Sequence, residues 1–466
     1  MTSDHMNTAK QTGLPSTSSN SPTWQPGALD SPFKRFSDPV HGFISVPRTL
    51  LLDLIQTPEV QRLRRIRQLG VGYLVFPGGE HMRFTHALGA MALMQDTLAS
   101  LAEKGTPITP EEHQAALAAA LLHDIGHGPF SHTLEYELID GFQHEAMSRA
   151  LLGSLNDRFD GALEMAIDIF DGTYARPFFH QLVSSQLDMD RLDYLRRDSF
   201  YTGVIEGRVG AQRILKTMRV HPLDGGPDAR IVIESKGIYA VENFLIARRL
   251  MYWQVYLHKT VVAGDQVLQG AIRRAQMHLR TGNETAVAGI SPALRFFLEQ
   301  KIDVSQIEQP DVLRAFCALD DTDVLYSLKR FMHSDDALLA DLSRRFIERD
   351  FFRTTFLPQP PSDEQRKAWQ HRVAEGLIEA GLSDAAHADE DASYYLTFDY
   401  SRHSAYERVE STIAMLDDDG TVRELSEMTD TAAIEALTHF VVKPYVCYPK
   451  ETPLDEMISY SGDLTN

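Results

Sequence analysis

One stretch decides the fold: Ala120-Leu121-Leu122-His123-Asp124-Ile125-Gly126-His127-Gly128-Pro129-Phe130-Ser131-His132. The alanine- and leucine-rich run that leads into it, 116–122, predicts a buried helix that ends in an adjacent imidazole and carboxylate. The glycines and the proline that follow end the helix and turn the chain, so that two more histidines come near its end. Imidazole and carboxylate ligands suit Zn, Fe, Mn or Ni better than Ca. The competing interpretation is a chance His-Asp dipeptide at the end of a core helix.

Composition and charge exclude several classes of protein. With 466 residues, 43% of them hydrophobic and 24% charged, the chain is long enough for a large core. It contains only Cys317 and Cys447, no secretory pattern at the N-terminus and no apolar run of about 18–20 residues. We therefore expect a cytoplasmic protein without a membrane span. The net charge of −20 argues against binding to nucleic-acid polymers, which requires a basic surface.

Local patterns divide the chain into three regions. Residues 1–32 are rich in Ser, Thr, Asn, Pro and Gly and are predicted to form a disordered tail. Residues 33–275 alternate between short breaks and helical patterns and are predicted to form a helical core with a small β hairpin near 229–234. Residues 276–466 mix helical and strand patterns and are predicted to form a C-terminal α+β region. The expected fold class is therefore mainly α.

Two further metal-ligand candidates lie far from the central stretch. His86 follows Arg83-Phe84-Thr85, where a lone histidine would more often belong to the core or the surface. Asp190 lies in a charge-dense segment, 186–198, of the kind that usually forms a solvated helix face. Leucines in that segment form an apolar stripe, and a carboxylate beside such a stripe needs a partner.

The order His86, then His123-Asp124, then Asp190 resembles the HD-domain metal-dependent phosphohydrolases. The resemblance extends to the branch that contains the mammalian SAM-and-HD-domain dNTP triphosphohydrolase and its bacterial homologues. It covers about residues 34–275 and rests on several independent motifs in the right order. These motifs are Asp38-Pro39-Val40-His41-Gly42, Gln61-Arg62-Leu63-Arg64, Gln68-Leu69-Gly70, Val75-Phe76-Pro77-Gly78, Arg83-Phe84-Thr85-His86, the central stretch, and 190–198.

The resemblance implies an HD-domain helical core and assigns roles by position. One divalent transition metal (Mn, Fe, Zn or Ni) would be held by His86, His123, Asp124 and Asp190, and Mg could accompany the substrate phosphates. The catalytic group would comprise His144, Glu145, which orients it, and the phosphate-lining His127 and His132. The phosphate contacts would be Arg83, Arg191, Tyr194 and Arg248, and the sugar contacts Gln68, Leu69, Asp198 and Tyr256.

The implied activity is hydrolysis of a deoxynucleoside triphosphate to deoxynucleoside and tripolyphosphate. An HD-type phosphatase or phosphodiesterase acting on other nucleotides is one alternative, and a nucleotide-sensing module with a regulatory HD site is another. The resemblance also implies a homo-oligomer, a dimer or tetramer, with a nucleotide activator at a subunit interface. Gln56 stands where the mammalian enzyme has the acidic residue of its GTP site, whereas Gln61 and Arg64 match that site. The resemblance therefore leaves open whether a guanine nucleotide activates this protein.

Overall fold

The computed structural model describes residues 32–222, 229–403, 412–428 and 441–454, together with Leu437 and Ile458. The predicted disordered tail, 1–32, lies outside the described residues except for Pro32. Helices dominate, which confirms the expected mainly α fold class. In chain order the helices are α1 (Leu50–Ile55), α2 (Pro58–Arg62), α3 (Arg83–Glu103), α4 (Pro110–Leu122), α5 (Glu135–Leu138), α6 (His144–Arg158), α7 (Glu164–Asp171), α8 (Phe178–Val183), α9 (Met189–Thr202), α10 (Ala211–Thr217), α11 (Ile238–Met251), α12 (Lys259–Thr281), α13 (Pro292–Glu299), α14 (Pro310–Ala318), α15 (Asp321–Phe331), α16 (Ala337–Ile347), α17 (Asp363–Glu379), α18 (Ala388–Asp391) and α19 (Leu425–Met428).

The strands form small sheets at the edges of this helical core. They are β1 (Phe33–Asp38), β2 (Gly42–Pro47), β3 (Met218–Pro222), β4 (Ala229–Glu234), β5 (Arg353–Phe356), β6 (Thr397–His403), β7 (Ala414–Leu416), β8 (Val422–Glu424) and β9 (Val441–Tyr448). β1 pairs with β2, the order β3-β4-β7-β8 forms a second sheet, and β9 lies between β5 and β6. The antiparallel β3–β4 pair is the predicted hairpin, and the later strands confirm the α+β character of the C-terminal region.

The core is organised around α3, which packs against both α4 and α9. The apolar sequence of α4 leaves every residue from Ala115 to Leu122 buried, so the end of this helix has no solvent face. Its start is fixed by a capping box, in which the Thr109 hydroxyl accepts the N–H of Glu112 and the Glu112 carboxylate accepts the N–H of Thr109. The helix therefore has a capped start, and its buried end delivers the His-Asp pair to the interior.

Gly89 allows α9 to approach α3 closely. A Cβ atom at this position would lie 2.0 Å from a carboxylate oxygen of Asp193 on α9. Any larger side chain would therefore displace that carboxylate, which contacts His86 one helical turn earlier on α3. The small residues after His86 thus permit the close packing that the sequence predicts.

The sequence pattern predicts continuous helices over about 178–197 and 237–275, and this prediction is wrong, because both segments are interrupted near the site. The segment 178–197 breaks between α8 and α9, where the Asp188 side chain accepts the N–H of Arg191 at 2.7 Å and caps a new helix. The segment 237–275 changes to a π-helical turn at Tyr252–Tyr256 before α12 begins. Both interruptions place candidate residues, Asp190 and Tyr256, at the start or end of an element.

The C-terminal region is joined directly to the core. Helix α12 runs through the predicted boundary at 275/276, and β4 pairs in parallel with β7 through Ile233 and Met415. None of the described helices combines the length and the apolar character that a membrane crossing needs.

Candidate metal centre and phosphate pocket

Four candidate ligands meet where three helices cross. His86 lies in the first turn of α3, His123 and Asp124 follow the last residue of α4, and Asp190 lies in the first turn of α9. One donor atom of each lies within 4.8 Å of the donor atoms of the other three. The Nε2 atom of His86 is 3.0 Å from Asp190 Oδ1 and 3.3 Å from His123 Nε2. Residues more than a hundred positions apart in the chain are thus brought to one point.

The chemistry of this donor set fits a divalent transition metal. Two carboxylates balance two positive charges, and imidazole nitrogens are the neutral ligands that such metals prefer. Burial by itself would raise the pKa of Asp190, but the imidazoles of His123 and His86 hold it well below its usual value. Asp190 is therefore ionised at neutral pH, as a metal ligand must be.

A fully buried carboxylate orients His86. Asp193 Oδ2 accepts a hydrogen bond from His86 Nδ1 at 2.8 Å, which leaves the lone pair of Nε2 directed at the other three donors. Asp193 also accepts from His41 Nε2 at 2.6 Å and from Arg197 Nε at 2.8 Å, and Arg197 is itself paired with Asp38 at 2.7 Å. Sequence reasoning assigned no role to Asp193; its position three residues after Asp190 on one helix was the available signal.

Asp193→Asn should weaken metal binding while leaving the four candidate ligands in place. The asparagine amide can turn its NH₂ group toward His86 Nδ1. Because it carries no charge, it no longer determines which nitrogen of His86 is protonated. Loss of such a partner typically reduces metal affinity by about 10- to 100-fold. A titration against a competing chelator measures this, with the exposed Asp157→Asn as control. Equal affinities of the two variants would contradict the role given to Asp193.

The His-Asp pair is also held by its surroundings. His123 Nδ1 donates to the backbone oxygen of Ala120 at 2.8 Å, which leaves Nε2 free for the cluster. Arg83, predicted as a phosphate contact, donates from Nη1 to Asp124 Oδ2 at 2.5 Å and from Nε to Ser131 Oγ at 2.9 Å. Arg83 therefore lies at the border between the candidate metal ligands and the loop that follows them.

Three histidines form a second cluster beside the first. The rings of His127 and His144 lie 3.9 Å apart between centroids, and those of His132 and His144 lie 5.3 Å apart. His127 Nδ1 is 3.4 Å from Asp124 Oδ1, so the two clusters are in contact. Burial, followed by the neighbouring charge of Arg83, pushes the pKa of His127 well below its usual value. Its Nε2 atom is buried, and no residue that the structure describes forms a hydrogen bond with it. The predicted catalytic histidines are thus together.

The carboxylate that holds this histidine cluster is Glu135, which sequence reasoning missed. Its two oxygens accept hydrogen bonds from His132 Nδ1 at 2.8 Å and from His144 Nδ1 at 2.9 Å. Burial alone would raise the pKa of Glu135, but these two imidazoles hold it below its usual range. The predicted orienting residue, Glu145, is 65% exposed and lies 3.2 Å from the opposite nitrogen, His144 Nε2. The spacing of three residues between His132 and Glu135 was the signal available.

Three of the predicted phosphate contacts lie on α9 and α11. Within the described part of the chain, the buried Nη1 atom of Arg191 has no hydrogen-bond partner, while its Nε atom lies 3.3 Å from Asp188 Oδ2. Arg248 donates from Nη1 to Gln186 Oε1 at 3.0 Å. Burial raises the pKa of Tyr194 above its usual range, so its hydroxyl stays protonated as a donor. A buried guanidinium nitrogen without a hydrogen-bond partner is rare, and Arg191 Nη1 is therefore placed to donate to a bound group.

The predicted sugar contacts form a connected network. Asp198 accepts from Tyr256 OH at 2.6 Å and from His81 Nε2 at 2.7 Å. The backbone N–H of Gln68 donates to the His81 carbonyl at 3.0 Å, and the buried side-chain oxygen of Gln68 has no hydrogen-bond partner among the described residues. Leu69 follows as a partly buried residue. His81 was not among the predicted residues, and no spacing in the sequence marks it.

Helix α2 and its flanking residues hold Gln56, Gln61 and Arg64, which the family resemblance relates to nucleotide activation. Gln56 is exposed and donates from Nε2 to the Leu52 carbonyl at 3.2 Å. Arg64 donates from Nε to Gln61 Oε1 at 3.0 Å, and its guanidinium lies 3.6 Å from the centroid of the Phe84 ring. Phe84 is a neighbour of Arg83 on α3, so this group is linked through α3 to the candidate metal centre.

Comparisons with known proteins agree with this geometry. The HD domain model matches residues 83–195, and the HD associated region model matches residues 209–288. The uncharacterized protein YwfO of Bacillus subtilis is 34% identical over 413 residues, which are 87% of this chain and 89% of that protein. The crystal structure of a phosphohydrolase from Bacteroides thetaiotaomicron is 42% identical with a TM-score of 0.82, covering 89% of this chain and 99% of its own. The chain belongs to the HD-domain phosphohydrolases.

This HD-domain phosphohydrolase is also similar to deoxynucleoside triphosphate triphosphohydrolase SAMHD1. The human protein is 29% identical over 286 residues, 53% of this chain and 45% of the human protein. The protein of Danio rerio is 30% identical over 305 residues, 56% of this chain and 48% of its own. The chain therefore spans about half the length of these two relatives. The predicted family is confirmed, and with it the prediction that the protein is an enzyme.

Proposed function

We propose that this enzyme is a metal-dependent deoxynucleoside triphosphate triphosphohydrolase that releases deoxynucleoside and tripolyphosphate. The observation that carries the proposal is the contact between the two clusters, where Asp124 Oδ1 lies 3.4 Å from His127 Nδ1. A site for a cation beside a site for proton transfer is what phosphate-ester hydrolysis requires. The similarity to SAMHD1 proteins favours dNTPs among phosphate esters.

In this proposal the first cluster is a metal site. His86, His123, Asp124 and Asp190 would hold one Mn, Fe, Zn or Ni ion, which when bound would act as a Lewis acid on a phosphoryl oxygen. Mg could accompany the substrate phosphates. Asp193 and Asp124 fix the positions of His86 and Arg83 before substrate arrives.

The second cluster would handle the proton. Water adds to the α-phosphorus while the bond from that phosphorus to the 5′-oxygen breaks, and the leaving oxygen takes a proton. We assign that proton to His144, because Glu135 holds its Nδ1 atom and stabilises the imidazolium form. Burial lowers the pKa of His144, but the hydrogen bond to Glu135 and the charges of Asp124, Glu145 and Glu135 together outweigh it, so the net shift is upward. His127 and His132 would line the scissile phosphate, and Glu145 lies at the same edge.

The remaining contacts would bind the two ends of the substrate. Arginine forks match the geometry of phosphate oxygens, so Arg83, Arg191 and Arg248 would offset the triphosphate charge, with the Tyr194 hydroxyl as a further donor. Gln68 and Asp198 would bind the 3′-hydroxyl. Leu69 and the ring of Tyr256, fixed by its hydrogen bond to Asp198, would pack against the sugar and disfavour a 2′-hydroxyl.

Product identity tests the proposal. Purified enzyme is loaded with Mn, Fe, Mg or Zn and incubated with each dNTP, each NTP and p-nitrophenyl phosphate, with metal-stripped enzyme as control. We expect deoxynucleoside and tripolyphosphate in equal amounts, and slower reaction of NTPs. Orthophosphate or pyrophosphate as the product would instead indicate a phosphatase or phosphodiesterase. Nucleotide binding without turnover under every metal would favour a sensing module.

Assembly and location are part of the proposal. We propose a homo-oligomer in the cytoplasm, a dimer or tetramer, whose subunit contacts provide a nucleotide site beside Gln61 and Arg64. With Gln56 in place of a carboxylate, a guanine edge would lose its paired acceptor, so an activator other than GTP, or none, fits this chain. Light scattering with and without each nucleotide measures the assembly.

A further inference from the structure

A buried carboxylate of the C-terminal region, Asp321, contacts segments of the candidate active site. This residue opens α15, belongs to the region to which sequence reasoning assigned no chemistry, and is 1% exposed. Its Oδ1 atom accepts the backbone N–H of Phe130 at 2.9 Å, and its Oδ2 atom accepts the backbone N–H of Arg67 at 3.0 Å. The Arg67 guanidinium lies 3.5 Å from the same Oδ2 atom. One side chain therefore joins two segments that are distant in sequence.

These two segments lead into the two groups of proposed substrate contacts. Arg67 immediately precedes Gln68 and Leu69, the proposed sugar contacts. Phe130 immediately precedes Ser131, which accepts from Arg83 Nε, and His132, which is bound to Glu135. Asp321 thus contacts the sugar side with one oxygen and the phosphate side with the other.

The phosphate-side segment has a backbone that needs external support. Phe130 and Ser131 have φ angles of 53° and 51°, the left-handed region that non-glycine residues avoid. Two consecutive residues of this kind are strained and persist only where the surroundings fix them. The N–H of Phe130 is held by Asp321, and the Ser131 hydroxyl donates to the Arg67 carbonyl at 3.3 Å. The turn is therefore stabilised by contacts to Asp321 and to the segment that Asp321 also binds.

Neighbouring contacts place the same C-terminal segment against the His-Asp loop. The buried Arg62 donates from Nε to the Leu319 carbonyl at 3.0 Å and from Nη1 to the Ile125 carbonyl at 3.1 Å. Its third hydrogen bond, from Nη2, reaches the His127 carbonyl at 2.5 Å. Residues 319–321 therefore have a defined position relative to the loop that carries the candidate ligands.

From these contacts we infer that Asp321 is a positioning residue that sets the spacing between the sugar-binding and phosphate-binding sides of the pocket. It does not touch substrate; it acts through Arg67 and Phe130. The inference rests on the proposed function for its consequence in catalysis, whereas the structural tie can be measured without substrate. It also gives residues beyond 276 a role in the active site of the intact chain.

The test compares Asp321→Asn with Asp391→Asn in the full-length, metal-loaded protein. Asp391 is a matched control because it is also buried and C-terminal, but its hydrogen-bond partners are Arg274 and Ser383. Asp321→Asn replaces one acceptor oxygen with an NH₂ group that faces a backbone N–H. We expect amide exchange at Phe130 and Arg67 to accelerate at least tenfold in this variant alone. Unchanged exchange at both amides would overturn the inference whatever the substrate proves to be.

Kinetics supply the second measurement. For Asp321→Asn we expect kcat/KM for dNTP to fall at least tenfold at unchanged metal content. We also expect the preference for dNTP over dideoxy-NTP to shrink, because the residues that contact the 3′-hydroxyl are no longer correctly placed. A purely structural role would leave that preference intact, as we expect for Asp391→Asn. If Asp321→Asn is not recovered folded, Asp321→Glu, whose extra methylene changes the reach, should show the same loss of preference. Wild-type preference in a folded Asp321 variant overturns the inference, whereas an inactive wild type with accelerated exchange in the variant overturns only the proposed function.

Discussion

Asp124→Ala should produce a folded protein without bound metal and without hydrolysis. The substitution removes one of the two carboxylates that would balance a divalent ion at the four-donor cluster. It also leaves the guanidinium of Arg83 buried beside that cluster without its partner, and this positive charge would repel a cation. We expect bound transition metal to fall below about a tenth of the wild-type content. Hydrolysis should fall to the level of the metal-stripped control.

Metal analysis and product assays on the same preparations check this result. Asp157→Ala serves as the matched control, since Asp157 is an exposed aspartate on α6. Circular dichroism and thermal unfolding establish that the variant is folded. If Asp124→Ala kept both metal and turnover, the assignment of the cluster as the catalytic metal site would be wrong.

Sequence motifs predicted the candidate ligands because each one lies at the end or start of a strongly patterned helix. The run before His123 can only be a buried helix, and its end is fixed by glycine and proline. His86 and Asp190 were found by their order relative to that pair and by resemblance, since each alone is an unremarkable residue. Their meeting point depends on how α3, α4 and α9 cross, which local patterns do not specify.

The residues that support the ligands could not be found in the same way. Asp193 and Glu135 are ordinary acidic residues in sequence, and their importance comes from burial against His86 and His144. Asp188 looks like its charged neighbours, yet it caps α9 and so divides a segment that reads as one helix. Asp321 lies 254 residues from Arg67, its backbone partner. Contacts between residues so far apart in the sequence are set by tertiary packing, and they produce no periodic pattern in the sequence.

His144→Ala should keep the metal and lose most of the turnover. His144 does not belong to the four-donor cluster, so the metal content should match wild type. A general acid contributes about 10²- to 10⁴-fold to such reactions, and we expect kcat to fall by an amount in that range. Metal analysis and kcat are measured on one preparation. A parallel loss of metal would show that His144 is a ligand and that its assignment as proton donor is wrong.

The pH dependence of kcat can distinguish the roles of the two carboxylates near His144, those of Glu135 and Glu145. Because the acid form of His144 is required, turnover should be constant below its pKa and fall as pH rises through it. Burial lowers this pKa, the hydrogen bond to Glu135 raises it, and the net shift is upward. Glu135→Gln keeps an acceptor for Nδ1 but removes the charge, so the alkaline limb of kcat should move to lower pH.

Glu145→Gln is the matched comparison, since Glu145 is exposed and lies at Nε2, the nitrogen that we expect to give up the proton. Solvent screens an exposed charge, so this variant should move the alkaline limb less than Glu135→Gln does. The reverse order of effects would return the orienting role to Glu145, as the family resemblance implies. If kcat fell at the same pH in the wild type, in Glu135→Gln and in Glu145→Gln, another group would limit turnover at high pH. The proton would then have to come from His132 or from water.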